Sequence, residues 1–279
     1  MENRSAAGGK IMLEDKPKLK VLDLFSGIRL GGFSLGLERT GGFKTVAFCE
    51  IEPFPRRVLA KHWPEVPQYD DVRTLTADVL ARDGITEIDV ITGGFPCQDL
   101  STAGRQAGMG EGTRSGLWSE IVRLIGELRP RYVIVENVAN LLSGPSEKRG
   151  AWFGRVLGDL AECGYDAEWE NIPASALGAP HRRERVWLIA YPTGVRRAEV
   201  ALYDIARNGK TQNEWWTSIN AGPLVGNGDW QDWEKQSGVC LVGDGFPAGA
   251  HACRAAGNAV VPQIPELIGR AILEAEAAA

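Results

Sequence analysis

Cysteine and histidine are scarce in this 279-residue chain, and their scarcity limits the sites it can build. Five cysteines and three histidines occur, and no two cysteines stand in a CxxC arrangement. Structural zinc sites need such closely spaced ligands, and disulfide frameworks are typical of secreted chains with an even cysteine count. We therefore expect no metal site, no disulfide bonds and a reduced, cytoplasmic setting.

Long apolar runs are also missing. No stretch of eighteen apolar residues appears, and residues 1–17 form a charged tail, which we expect to be flexible, without the apolar centre of a signal peptide. We therefore expect no membrane partner. The formal net charge of -5 argues weakly against a nonspecific nucleic-acid coat. The sequence does not exclude a local basic face, because residues 180–210 contain seven Arg or Lys residues and three acidic residues.

Short apolar strands alternate with amphipathic helices over the first two thirds of the chain. This alternation predicts an α/β fold: a Rossmann-like parallel sheet with helices on both faces. The predicted strands cover residues 20–25, 45–52, a short segment ending at 70–72, 88–94, 131–138 and 184–191. The predicted helices cover residues 33–40, 53–62, 115–130, 152–163 and 264–277. From residue 192 the alternation stops, so we assign residues 18–191 and 250–279 to one domain and 192–249 to a small irregular lobe.

Chemically distinctive residues follow five of the predicted strands. Parallel sheets bind ligands at the carboxyl ends of their strands, so these side chains are expected to share one site. They are Phe25, Glu50, Asp71, Cys97 and Glu136. A glycine-rich turn, FSGIRLGGFSLG, also follows the first strand and lets the backbone approach a ligand. Glu50 suits ribose hydroxyls and Asp71 an adenine amino group, although either acid could instead cap a helix or be solvated.

Cys97 lies in the stretch GGFPCQDLS, directly behind a proline at the end of a strand. A lone cysteine is most often a small buried hydrophobe, but this position favours exposure to a cleft. An ordinary thiol is only about 3% thiolate at pH 7, so a nucleophile needs positive neighbours.

Two further stretches carry charge. Glu136 of ENV ends an apolar strand, where burial raises a carboxyl pKa and lets the group donate a proton. In HRRER, an extended backbone would point Arg183 and Arg185 to one face, where they could bind phosphate or lower a thiol pKa. The alternatives are a helix cap or a structural ion pair for Glu136, and a solvated loop for the arginines.

The motifs FSGIRLGGF, GGFPCQDLS, ENV, HRRER and GNAVVP, in this order, resemble the DNA cytosine-5 methyltransferases. The resemblance covers roughly residues 19–191 and 250–275. It implies the S-adenosylmethionine-dependent methyltransferase sheet, double-stranded DNA as partner, a flipped-out target base and, usually, a monomer. It also implies that residues 192–249 are a target-recognition lobe and that residues 98–116 close over DNA.

The resemblance assigns roles residue by residue. The thiolate of Cys97 would attack carbon 6 of cytosine, and Glu136 would hold ring nitrogen 3 and the exocyclic amine. Arg185 would bind the base's carbonyl side and Arg183 the backbone near the flipped nucleotide. The residues implied to enclose the cofactor are Phe25, Gly27, Gly31, Gly32, Glu50, Ile51, Asp71, Val72, Pro96, Leu117 and Asn258. Ser101 would lie near a DNA phosphate, and the local basic charge adds Arg182, Arg196 and Arg197 as expected phosphate contacts.

Three departures from the family pattern keep alternatives open. Gly27 and Gly31 are separated by three residues, two more than is usual, which could bulge the turn. The irregular lobe is short, and the element before GNAVVP is blurred. An RNA cytosine-5 methyltransferase and a catalytically impaired relative that binds DNA or cofactor are therefore the competing hypotheses. An unrelated dinucleotide oxidoreductase is disfavoured, because its glycine spacing differs.

Overall fold

The computed structural model describes residues 17–27, 32–95, 117–144, 149–177, 183–194 and 260–278. Its strands are β1 (Leu19–Leu24), β2 (Phe43–Cys49), β3 (Gln68–Tyr69), β4 (Val90–Gly93), β5 (Tyr132–Val138), β6 (Tyr165–Pro173) and β7 (Glu184–Pro192). Its α-helices are α1 (Gly32–Arg39), α2 (Pro53–His62), α3 (Ala77–Arg82), α4 (Trp118–Leu128), α5 (Ala151–Glu162) and α6 (Gln263–Ala278). Two 3₁₀ helices span Ala139–Leu142 and Ala174–Leu177.

The strands form one seven-stranded sheet in the order β3-β2-β1-β4-β5-β7-β6. The first five strands in this order are parallel, whereas β7 pairs antiparallel with both β5 and β6. The prediction of a purely parallel sheet is therefore wrong at this end. Only residues 174–183 join β6 to β7, and this connection is too short for the crossover that parallel neighbours need.

Helices cover both faces of the sheet, as the alternating pattern predicts. One face packs against α4 and α5 through a core that includes Ile121, Leu124, Val156 and Leu160. The other face packs against α1 and α6 through Phe33, Leu37, Ile268 and Ile272. The residues of the central strands β1, β4 and β5 are almost all buried, so the core of the described residues lies on both faces of these strands.

The first and last helices approach each other closely because glycines of α1 face the chain that enters α6. A Cβ atom added at Gly36 would lie 2.2 Å from the carbonyl oxygen of Pro262. One added at Gly32 would lie 2.7 Å from the Cβ and the carbonyl oxygen of Val260. The residues just before α6 therefore lie directly over the start of α1, next to the glycine turn.

Within the described residues, no helix combines the length and hydropathy that a membrane crossing requires.

Candidate active site

Four adjacent strands are aligned in register near one edge of the sheet, where β1, β2 and β4 end and β5 continues for three more residues. Leu24 of β1 is aligned with Cys49 of β2 and with Gly93 of β4, and Gly93 is aligned with Val135 of β5. The residues that follow these four are Phe25, Glu50, Gly94 and Glu136. The structure thus brings together three of the strand-end residues that the sequence predicts to share a site.

Glu50 holds the glycine turn against the end of β2. Its Oε2 accepts a hydrogen bond from the Gly27 amide at 2.9 Å, and its Oε1 accepts one from the Glu52 amide at 2.8 Å. Phe25 and Gly27 both adopt positive φ angles, 56° and 63°, so the chain turns sharply between β1 and this carboxyl group. Burial raises the pKa of Glu50, and the two amides partly oppose that effect.

The edge beside Glu50 combines an exposed apolar side chain with carboxyl acceptors. Ile51 presents an apolar side chain that is 58% exposed, which is unusual for its size and suits the face of a flat base. The carboxyl oxygens of Glu50 accept one amide each and keep lone pairs for ribose hydroxyls. These observations favour a nucleoside-containing cofactor at the place that the sequence indicates.

Asp71 already has a charged partner. The guanidinium of Arg73 donates from Nε to Oδ1 at 2.9 Å and from Nη2 to Oδ2 at 2.8 Å. These hydrogen bonds lower the pKa of Asp71, so the carboxylate is ionised at neutral pH. The neighbouring Val72 is buried, and Leu117 lies half-buried where α4 begins.

Glu136 and Arg185 form the charged centre of the edge. Arg185 Nε lies 3.1 Å from Glu136 Oε1, and the glutamate is only 7% exposed. Burial raises the pKa of Glu136, whereas the positive charges of Arg185 and Arg183 oppose the rise. The sequence-based expectation of a poorly solvated glutamate with a raised pKa is confirmed. The alternative of a structural ion pair is also real, since Arg185 contacts this carboxylate.

The backbone near Arg183 differs from the extended run that the sequence suggested. Arg183 has a φ of 33°, in the left-handed region, and β7 begins only at Glu184. Simple alternation along an extended strand therefore does not explain the arrangement of the two arginines. Both still act electrostatically on Glu136, which is the relation that the chemistry needs.

The end of β4 passes close to Glu136. A Cβ atom added at Gly94 would lie 3.4 Å from Glu136 Oε2, so glycine leaves this carboxyl oxygen room. Asn137 donates from Nδ2 to the carbonyl oxygen of Phe95 at 3.1 Å and ties the two strand ends together. Gly94 stands three positions before Cys97 in the sequence.

Sequence reasoning missed two charged groups near this edge, of which Asp23 is buried and Arg123 half-buried. Asp23 of β1 is fully buried and accepts a hydrogen bond from Ser34 Oγ of α1 at 2.7 Å. Burial raises its pKa to about 6. The sequence signal for this buried group is an acidic residue inside the apolar run VLDLF. The second group, Arg123 of α4, contacts the loop after β3, and nothing local in the sequence indicates that contact.

Several predicted site residues lie outside the described part of the chain. They are Gly31, Pro96, Cys97, Ser101, Arg182, Arg196, Arg197 and Asn258. Gly32 is described and touches Val260, two positions after Asn258 in the sequence. Among the described residues, no three His, Cys, Asp or Glu side chains come together as metal ligands.

Comparison with known proteins identifies the family. A family model described as C-5 cytosine-specific DNA methylase matches residues 19–221. The chain belongs to this family. It is 37% identical over 176 residues to the type II methyltransferase M2.BsuMI of Bacillus subtilis, covering 62% of this chain and 42% of that one. It is 30% identical over 244 residues to the type II methyltransferase M.CviJI of Paramecium bursaria Chlorella virus IL3A, covering 87% and 56%.

The chain therefore spans about half the length of these C-5 cytosine methylase relatives. Among solved structures, the S. pombe Dnmt2 methyltransferase superposes with a TM-score of 0.61 at 17% identity, covering 92% of this chain and 99% of that one. At that identity the likeness concerns the fold, and it agrees with the seven-stranded sheet described above.

Proposed function

We propose that this protein transfers a methyl group from S-adenosylmethionine to carbon 5 of cytosine in double-stranded DNA. The observation that carries the proposal is the buried Glu136–Arg185 pair at the end of β5, beside Gly94, in a chain of the C-5 cytosine methylase family. A carboxyl group that can hold a proton would donate a hydrogen bond to a planar base. The neighbouring guanidinium would supply a positive charge to the same base.

The cofactor is expected at the edge formed by β1, β2 and β3. When bound, S-adenosylmethionine supplies an electrophilic methyl group. Glu50 would hold its ribose hydroxyls, Ile51 its adenine face and Asp71 its amino group. The wider set that we propose to enclose it is Phe25, Gly27, Gly31, Gly32, Val72, Pro96, Leu117 and Asn258. The exposed Ile51 and the two amide contacts of Glu50 support this arrangement.

We propose Cys97 as the nucleophile. Its thiolate adds to carbon 6 of cytosine, and the electrons of the carbon 5–carbon 6 double bond make carbon 5 nucleophilic. Carbon 5 would then attack the methyl group of S-adenosylmethionine, and the bond from that methyl group to the sulfonium sulfur would break to leave S-adenosylhomocysteine. A base removes the carbon-5 proton, the electrons of that bond restore the double bond, and the carbon–sulfur bond breaks to return the thiolate.

Glu136 would steady the ring during these steps. It would hydrogen-bond ring nitrogen 3 and the exocyclic amine, and its raised pKa allows it to carry the proton that nitrogen 3 needs as charge builds. Arg185 would bind the carbonyl side of the base, and Arg183 the backbone beside it. Because Glu136 and the two arginines would be held in place before the reaction, they would orient the base as well as supply charge.

Neither carbon 5 nor carbon 6 can be reached inside a stacked duplex, so the base must be flipped out at a cost of a few kcal/mol. We propose that Ser101, Arg182, Arg196 and Arg197 contact phosphates and that residues 192–249 form the lobe that reads the target sequence.

A methyl-transfer assay tests the proposal. The protein is incubated with labelled S-adenosylmethionine and either duplex DNA or RNA, with Cys97→Ser as the inactive variant and Cys163→Ser as the matched control. Label should enter DNA with the wild type and the control but not with Cys97→Ser. A duplex carrying 5-fluorocytosine at the target should trap a covalent adduct, because fluorine cannot leave as a proton does.

Other outcomes would contradict the proposal in distinct ways. Transfer to RNA alone would favour an RNA methyltransferase, and cofactor binding without transfer would favour a catalytically impaired relative. Full activity of Cys97→Ser would refute the covalent route.

A further inference from the structure

Arg123 connects α4 to the loop that follows β3. Its Nη2 donates to the carbonyl oxygens of Val72 and Leu75, both at 2.8 Å. The rest of the guanidinium is held within the helix, with Nε donating to Glu120 at 2.8 Å and Nη1 to Glu127 at 2.6 Å. One side chain thus joins two backbone acceptors to two carboxylates.

Glu127 extends this connection to the next helix. Its Oε2 accepts a hydrogen bond from the Ala77 amide, the first residue of α3, at 3.0 Å. Glu120, Arg123 and Glu127 are spaced by three and four residues and share one face of α4. The loop is therefore held at residues 72, 75 and 77 from a single helix face.

This loop forms one wall of the edge where a nucleoside fits. It starts at Asp71, which follows β3, the neighbour of the strand that ends before Glu50 and the exposed Ile51. Within the loop, the Asp71 carbonyl accepts hydrogen bonds from the amides of Thr74 and Leu75, so Asp71 moves with the segment that Arg123 holds. The same helix begins next to Leu117, another residue that we propose encloses the cofactor.

We propose that Arg123 is a positioning residue for the adenosine end of the cofactor, acting through the carbonyl groups of Val72 and Leu75. The inference rests on the proposed function, because it takes the nucleoside to be part of S-adenosylmethionine. A lysine cannot replace this arginine, since one ammonium group cannot reach two carbonyls and two carboxylates in the planar geometry of a guanidinium.

Binding measurements on the full chain test the inference. The variants are Arg123→Gln and Arg123→Lys, and the control is Lys20→Met, which removes an exposed ion pair with Glu87 at the opposite end of β1. The probes are S-adenosylhomocysteine and adenosine, titrated calorimetrically at a temperature where circular dichroism shows every variant folded. Both Arg123 variants should weaken both probes by the same factor, about tenfold, because the lost hydrogen bonds shape the adenosine wall.

Steady-state kinetics separate positioning from general damage. The KM for S-adenosylmethionine should rise with binding while kcat stays within about twofold, and DNA affinity should be unchanged. Arg123→Lys keeps the positive charge between the two glutamates. This variant therefore still tests the positioning role of Arg123 if Arg123→Gln does not fold. Wild-type affinity for S-adenosylhomocysteine in Arg123→Lys, or a fall in kcat at constant KM, would overturn the inference. A wild type that binds no S-adenosylhomocysteine would instead overturn the proposed function.

Discussion

Asp23 is a fully buried carboxyl group on β1, and its replacement by asparagine is expected to stabilise the protein at neutral and alkaline pH. Its Oδ2 accepts the Ser34 hydroxyl, but among the described residues its Oδ1 lacks a hydrogen-bond partner. Thr92 lies opposite Asp23 in the register of β4. Within the described residues, the hydroxyl oxygen of Thr92 also lacks a hydrogen-bond partner at good geometry. An asparagine would keep the bond from Ser34 and offer its amide to Thr92.

The magnitude follows from the pKa. Burial raises the pKa of Asp23 to about 6, against an ordinary value of 3.8. Because the folded pKa lies above the unfolded one, the protein is most stable with Asp23 protonated, and that stability is lost as the pH rises through about 6. A difference of about two units corresponds to roughly 3 kcal/mol of cost at pH 8, and about half of that at pH 5.

Urea unfolding of the wild type and Asp23→Asn from pH 5 to pH 8 measures this effect. The variant should gain about 3 kcal/mol at pH 8, near 6 °C in melting temperature, and the gain should shrink as the solution is acidified. The control is Asp70→Asn, since Asp70 is exposed and 3.9 Å from its arginine partner. A gain that does not vary with pH, or a less stable variant at pH 8, would refute the reasoning.

Three other substitutions test the packing and the charged centre. Gly36→Ala should destabilise the protein by about 2 kcal/mol or more, because the new Cβ would lie 2.2 Å from the Pro262 carbonyl oxygen. Gly126→Ala, in open space on α4, should stabilise the protein by about 0.5–1 kcal/mol. Thermal melts of the two variants and the wild type measure both effects. Arg185→Met should cost about 3 kcal/mol at pH 8 in urea unfolding, since it leaves the buried Glu136 without its ion-pair partner. The loss should shrink as the pH falls, because burial raises the pKa of this carboxyl, and an equal loss at pH 8 and pH 5 would contradict the electrostatic account.

The parallel half of the sheet and its functional edge could be predicted from sequence because each signal there is local. Apolar strands such as Leu19–Leu24 run into a glycine turn or an acid, and the amphipathic pattern of α4 is strong. Once parallel strands are inferred, their carboxyl ends meet at one edge, which is why Glu50 and Glu136 are expected, and are found, at the same edge of the sheet.

The antiparallel end of the sheet could not be predicted in the same way. Strand β6 was missed because its sequence, YDAEWENIP, is rich in polar residues and mostly half-buried or exposed. A local sequence pattern does not encode strand direction. The apolar pattern of β7 is equally compatible with parallel and antiparallel pairing. The contacts of Arg123 and the closeness of Gly36 to Pro262 join distant parts of the chain, so no periodicity announces them.

The packing of α6 on α1 has a consequence for how the chain folds during synthesis. Phe33 and Leu37 are synthesised long before the residues that cover them, such as Ile268. Until then the growing polypeptide exposes an apolar stripe that is open to chaperones and to aggregation. This half of the domain completes its structure only after α6 has been made, and contacts so distant in sequence are typical of slow folding.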